Sequence, residues 1–193
     1  MRPSALAAGL VGVAALVAAG CGDEERPTIT GTGYSFQAPP GWDAVSPDAF
    51  KELAAGDGGL TPTQQQTQID GAAANVDDGA NISVALQPGR PFPKRVGQAA
   101  VADLEKIYST PAIMDQFLPE GVRLAGDPVV GQTELAGTPM LEATLETTGA
   151  REAGLVQLIG PHESQGYTIT FTAPDTDSAA DDLDEVVATW QWQ

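Results

Sequence analysis

The chain has 193 residues, nine of them basic and 26 acidic, for a net charge of −17. Such a surface is repelled by phosphate backbones and anionic headgroups, which excludes nucleic acid as a partner. A single cysteine permits no internal disulfide,.

The chain opens with MRPSALAAGLVGVAALVAAG. Arg2 supplies a short positive start, and Ala5 to Ala19 form an unbroken apolar and small-residue run, the pattern of an export signal over residues 1–20,. A retained transmembrane anchor fits less well. The run is short, diluted with Ala and Gly, and followed at once by the carboxylates Asp23, Glu24 and Glu25,. Ala18-Ala19-Gly20-Cys21 resembles a lipobox, in which small residues precede a cysteine that is acylated before the signal is removed. Ala18 stands where such motifs carry Leu or Val, and cleavage by the ordinary signal peptidase at Ala-x-Gly is the competing outcome. Acylation of Cys21 with a diacylglycerol, which carries two chains, would place the protein at the cell membrane, on its extracytoplasmic face, since two chains suffice for stable attachment. Cleavage before Cys21 removes one basic residue and leaves eight against 26, a net of −18 over 173 residues, which suits one domain around one core,. The lipid, and not the acidic surface, must then hold the molecule to the membrane.

Residues 21–33 are polar, with Pro27 and three glycines, and predict a tether from lipid to a domain over 34–193,. Tyr34, Phe36 and Ala38 alternate with Ser35 and Gln37 before Pro39-Pro40-Gly41, a half-buried strand closed by a turn,. A short helix is predicted around Pro47 to Ala55. The stretch 56–79 lacks apolar periodicity and has loop composition,. Ile82, Val84 and Leu86 mark a second alternating strand,. Val101, Leu104, Ile107 and Tyr108 share helical spacing in a segment over 96–109, stopped by Pro111,.

Strands then cluster. Leu141, Ala143 and Leu145 alternate with polar residues, Leu155 to Ile159 read as a central strand, and Tyr167, Ile169 and Phe171 alternate with threonines,. The last two predict a hairpin through 160–166. Leu183, Val186, Val187 and Trp190 form one helical stripe, with Ser178 and Asp181 as a capping box and acids in the first half,. This order predicts an α+β fold with a mainly antiparallel sheet flanked by helices. The alternation predicts one covered sheet face, because Thr168, Thr170 and Thr172 make the other polar.

Four features in this order resemble the LpqN-type cell-envelope lipoproteins, whose domain is similar to PsbP. They are the lipobox, the segment Tyr34 to Trp42 with its Pro-x-Gly-Trp-like turn, Asn81 to Leu86 before the 96–109 helix, and Gly166 to Phe171 with the helix ending in Trp190. The resemblance implies a PsbP-like α/β/α sandwich, with helices on both sheet faces, and an accessory role. None of the matching residues carries chemistry.

Candidate chemistry is sparse. His162 is the only histidine, beside Glu163 and Ser164 in the predicted turn. Neighbours on a turn rarely achieve the nucleophile–base–orienter geometry of a hydrolase, and a glycine elbow leading into a helix is missing. One histidine and an acylated cysteine leave no usual zinc set. Asn75, Asp77, Asp78 and Asn81, or Asp175, Asp177 and Asp181, offer calcium oxygens without the EF-hand pattern,. Lys51, Lys94 and Lys106 sit in polar or helical settings that predict exposure. Trp42 and Trp190 predict core, and Trp192 predicts exposure. No catalytic residue, metal or cofactor is therefore expected, and Cys21 alone is predicted as a site, for lipidation. The leading reading is a lipid-anchored, non-enzymatic accessory protein of the bacterial envelope that binds a protein partner or apolar ligand. The alternative is an envelope hydrolase or lipid-handling enzyme with dispersed catalytic residues.

Overall fold

The computed structural model describes residues 26–55, 61–87 and 96–193. The export signal, Cys21 and Lys94 lie outside the described residues. The first strand, β1, is Thr28–Gly31, so the segment 28–33 assigned by composition to the tether is part of the domain. It pairs with β2 (Tyr34–Gln37), which buries Tyr34 and Phe36 on alternate positions as the pattern predicts. After β3 (Asp43–Val45) comes α1 (Pro47–Ala55), the predicted short helix, with Phe50 buried.

The loop expected over 56–79 is corrected by the structure beyond residue 60. Thr61 caps α2 (Pro62–Gln66) in a capping box: Thr61 Oγ1 accepts from the Gln64 amide at 3.2 Å, and Gln64 Oε1 accepts from the Thr61 amide at 2.9 Å. Then β4 (Gln68–Asn75) runs inside the sheet between β3 and β5 (Ala80–Leu86). No large apolar residue marks β4 except Ile69. It is buried through Gly71, Ala72, Ala73 and Ala74, so a strand lined by small residues gave no periodic signal. Smallness is required at Gly71, where a Cβ would collide with the hydroxyl of Tyr34.

The predicted 96–109 helix is α3 (Gln98–Tyr108), burying Val101, Leu104 and Tyr108 but leaving Ile107 exposed. Pro111 ends it and starts α4 (Pro111–Met114). Next come β6 (Val122–Leu124), β7 (Val129–Leu135), β8 (Thr138–Gly149), β9 (Ala153–His162) and β10 (Gln165–Ala173). The hairpin predicted through 160–166 is tighter than its Gly and Pro content indicates. Only Glu163 and Ser164 lie outside the strands, and Glu163 is left-handed at φ 51°. Pro161 lies beyond Ile159, the last β9 residue paired with β8, so no ladder bond to β8 is lost there,.

The last helix, α5 (Thr176–Thr189), is capped by Asp175, whose carboxylate accepts from the Ser178 amide at 2.7 Å; the expected Ser178 cap is thereby displaced by three residues. Trp190 is the extended C-cap and not a helical residue. The chain finishes in β11 (Gln191–Trp192), which pairs with β2.

Every pairing is antiparallel. The main sheet runs β3-β4-β5-β10-β9-β8-β6, with β7 also on β8, and a smaller sheet runs β1-β2-β11. The fold is α+β. Both faces of the main sheet are covered, as the resemblance implied and as the alternation pattern did not. On one face Ile82, Val84, Leu158, Ile169 and Phe171 pack with α5 and the small sheet. On the other, Leu141, Ala143 and Leu145 pack with Val101, Leu104 and Tyr108 of α3. The threonine row of β10 lies half-buried on this second face, where Gln87 Nε2 donates to Thr168 Oγ1 at 2.7 Å and Gln157 Nε2 to Thr170 Oγ1 at 3.1 Å. Tyr108 donates to Gln157 in turn. Polar alternation marked a hydrogen-bonded layer and not solvent.

Candidate functional site

The C-terminal end of the chain gathers a run of aromatic rings. Trp190 stacks across the neighbouring rings of Tyr34, at 4.9 Å between centroids, and Phe36, at 5.2 Å. Trp192 meets Trp190 and Tyr167 edge-on at 5.3 and 5.1 Å. His162 then lies flat on Trp192 at 4.1 Å and 10°. The expectation that Trp192 is exposed is corrected: β11 pairing holds its backbone, and its indole Nε1 donates to the Leu135 carbonyl at 3.0 Å. Trp42 is core, as predicted.

This arrangement decides what His162 touches. Its Nδ1 lies 3.2 Å from Thr138 Oγ1, and its ring face covers Trp192. Among the described residues no hydrogen bond joins it to Glu163 or Ser164, so the three turn neighbours do not converge as a nucleophile, base and carboxylate.

A polar knot lies at the β1–β2 turn. Asp70 accepts from the Thr32 amide at 2.6 Å and from Thr32 Oγ1 at 3.0 Å, while Tyr167 donates to the Thr32 carbonyl at 2.9 Å. Burial first, then the nearby Asp70 charge, pushes the Tyr34 hydroxyl well above its ordinary range, although no acceptor meets hydrogen-bond geometry with it. Tyr167 is raised by the same two causes and by Glu163, and Tyr108 by burial alone. These phenols stay protonated at neutral pH and act as packing groups. Sequence reading missed the knot, because Asp70 and Thr32 are 38 residues apart and neither belongs to a motif.

Of the two acidic runs considered for calcium, the first is tied within itself: Asn75 Nδ2 donates to the Asp78 carboxylate at 2.6 Å, and the Asp78 charge is felt by Asp182 of α5. Among the described residues no group of three or more His, Cys, Asp or Glu side chains has metal-holding geometry. The Ser178 amide holds the Asp175 carboxyl below its usual range, as expected of a helix cap,. Asp182 goes the other way. Burial first, then Glu185, Asp181 and Asp78, push it up to about 6 from an ordinary 3.8.

The folded state therefore binds a proton on Asp182 that the unfolded state has already lost between pH 4 and 6. Stability falls as pH rises through that window, and the penalty is complete above it. The site is partly solvated, so screening reduces the effect to on the order of 1 kcal/mol. Asp182→Asn should raise stability by that amount at pH 7 and leave it little changed at pH 4, as read from urea midpoints across the range. An equal change at every pH would show that the charge is not the cause.

An open groove of about 420 Å³ is lined by Thr28, Ser35, Phe36, Gln37, Thr189 and Gln191 among others. Its lining holds no ionisable side chain. Lys51 is half-buried on α1 and Lys106 exposed on α3, both away from this lining.

No protein-family model matches the chain, and no curated protein matches it. Among solved structures, the solution structure of a cyanobacterial PsbP protein, CyanoP from Synechocystis sp. PCC 6803, is similar over 91% of this chain and 99% of its own, with 13% identity and a TM-score of 0.44. A crystal structure from Bacteroides thetaiotaomicron VPI-5482 is similar over 88% of this chain with 13% identity and a TM-score of 0.39; the chain spans 49% of that protein.

Proposed function

We propose that this chain is a lipid-anchored accessory protein of the bacterial cell envelope, of LpqN type, that acts by binding and not by turnover. The observation that carries the reading is Cys21 at the end of an export-signal pattern, directly after Ala18-Ala19-Gly20,. The fold adds a constraint: β1 starts at Thr28, and Arg26 bonds to the Ala38 carbonyl and to Glu185, each at 2.8 Å. Six residues separate Cys21 from Thr28, a reach of at most about 25 Å. An acylated Cys21 would keep the domain close to the bilayer. Among the described residues no helix is long and apolar enough to cross a membrane.

A binding role is further supported by what surrounds the only histidine, the one side chain whose ordinary pKa lies near neutrality. His162 is used as a stacking partner for Trp192. His162→Ala should cost about 1 kcal/mol through the lost aromatic contact, more than the near-zero effect expected of a free surface turn. Complementing a deletion strain tests the reading. The envelope phenotype should be restored by His162→Ala and lost with Cys21→Ala. Loss with His162→Ala at normal protein abundance would favour catalysis.

A further inference from the structure

The main sheet carries one long strand, β7, that pairs with β8 on one side and takes no second strand on its outer edge among the described residues. Helix α3 packs against it, and Trp192 Nε1 donates to its last carbonyl, that of Leu135. The strand is seven residues long, about 24 Å at about 3.4 Å per residue,. The other edge strands, β6 alongside β7 on β8 and β3 at the far end of the sheet, have three residues each. Long edges are normally blunted by proline, bulges, inward charges or lysine, because unpaired amides and carbonyls invite another strand. Within β7 there is no proline, bulge or lysine, and Glu134 is its one charge: its register on β8 is unbroken from Val129↔Thr144 to Leu135↔Thr138, and its sequence is VVGQTEL. Val129 is 70% exposed, an apolar side chain at the open end.

Charge shows what fits there. Glu134 is exposed on one face of β7. On the opposite face Glu142 of β8 stands directly across from Gly131, and the space above Gly131 is open. A long cationic side chain on an added strand can reach Glu134 on one face and lie over Gly131 to Glu142 on the other. Neither carboxylate has a salt-bridge partner among the described residues. A second copy of this chain is disfavoured, since each copy brings a net charge of −17 to the contact,.

We propose that β7 is a strand-addition site for an extended basic segment of a protein partner, with backbone bonds along 129–135 giving affinity and Glu134 and Glu142 selecting Lys or Arg. The proposal rests on the binding reading above and specifies its surface.

The test uses the full-length chain in detergent micelles and an eleven-residue peptide of alternating Lys and Val, with hydrogen exchange followed by mass spectrometry. Amides within 129–135 should slow at least tenfold at saturating peptide. A Glu–Val peptide should give no protection, and a Lys–Pro peptide, equally charged but unable to form a ladder, should also give none. Glu134→Lys combined with Glu142→Gln should weaken binding at least fivefold with an unchanged melting temperature. Unchanged exchange in 129–135, equal protection by the acidic or proline peptide, or protection that rises with protein concentration without peptide would each overturn the proposal. The first of these with Cys21-dependent function intact removes the β7 site and leaves the anchored-protein reading standing; full function of Cys21→Ala removes that reading instead.

Discussion

Trp190→Ala is expected to destabilise the domain by about 3–5 kcal/mol, and removal of the chain from Thr176 onward to unfold it. Trp190 is 4% exposed and stacks on both buried rings of β2, so its removal leaves a cavity bounded by Tyr34 and Phe36 that the small three-stranded sheet cannot easily close,. It also loosens Trp192, which touches it edge-on and completes the small sheet through β11. Truncation removes in addition Ala179, Leu183 and Val186, which cover one face of the main sheet. Each large apolar side chain contributes about 1.5–3 kcal/mol on burial, against a total of roughly 5–15. Trp190→Phe should cost clearly less, because it keeps the stack and discards an indole N–H that has no partner among the described residues. Chemical denaturation of the three variants checks the ranking. A truncated chain that melts like wild type would show α5 and β11 to be appendages.

The parts of the fold that were legible in the sequence are those where large apolar residues recur at a fixed period. Tyr34 and Phe36, Leu141 to Leu145, Tyr167 to Phe171 and the α5 stripe of Leu183 and Val186 all fall where their spacing predicts. Strand β4 was illegible because alanine and glycine bury without announcing a face. Composition misplaced β1 as tether, since Ile29 is the only apolar residue in TITG. The second covered sheet face was hidden because threonine and glutamine line it through side-chain hydrogen bonds. Trp192 was misjudged from its nearness to the chain end, when β11 pairing and Leu135 fix it inside an aromatic run. The open edge of β7 depends on which strand lies beside which, and strand order is not written in local periodicity.

Cys21→Ala should have an all-or-none effect on location. Wild type is expected to fractionate with membranes, held by two or more acyl chains, each buried methylene contributing about 0.8 kcal/mol. The variant should retain its signal or be shed into the medium, because the mature surface carries 26 acids and no basic cluster in the described domain that would hold it to anionic lipid,. Fold stability should be unchanged, as the first strand starts at Thr28. An unfolded variant would point instead to a role for the N-terminal segment in the core.

Mass spectrometry of the mature N-terminus tests the central claim most directly. The account predicts a chain that begins at Cys21 and carries the mass of a thioether-linked diacylglycerol, with or without a third acyl group on the amine. A mature chain with an unmodified Cys21, or one cut at any other position, would contradict it.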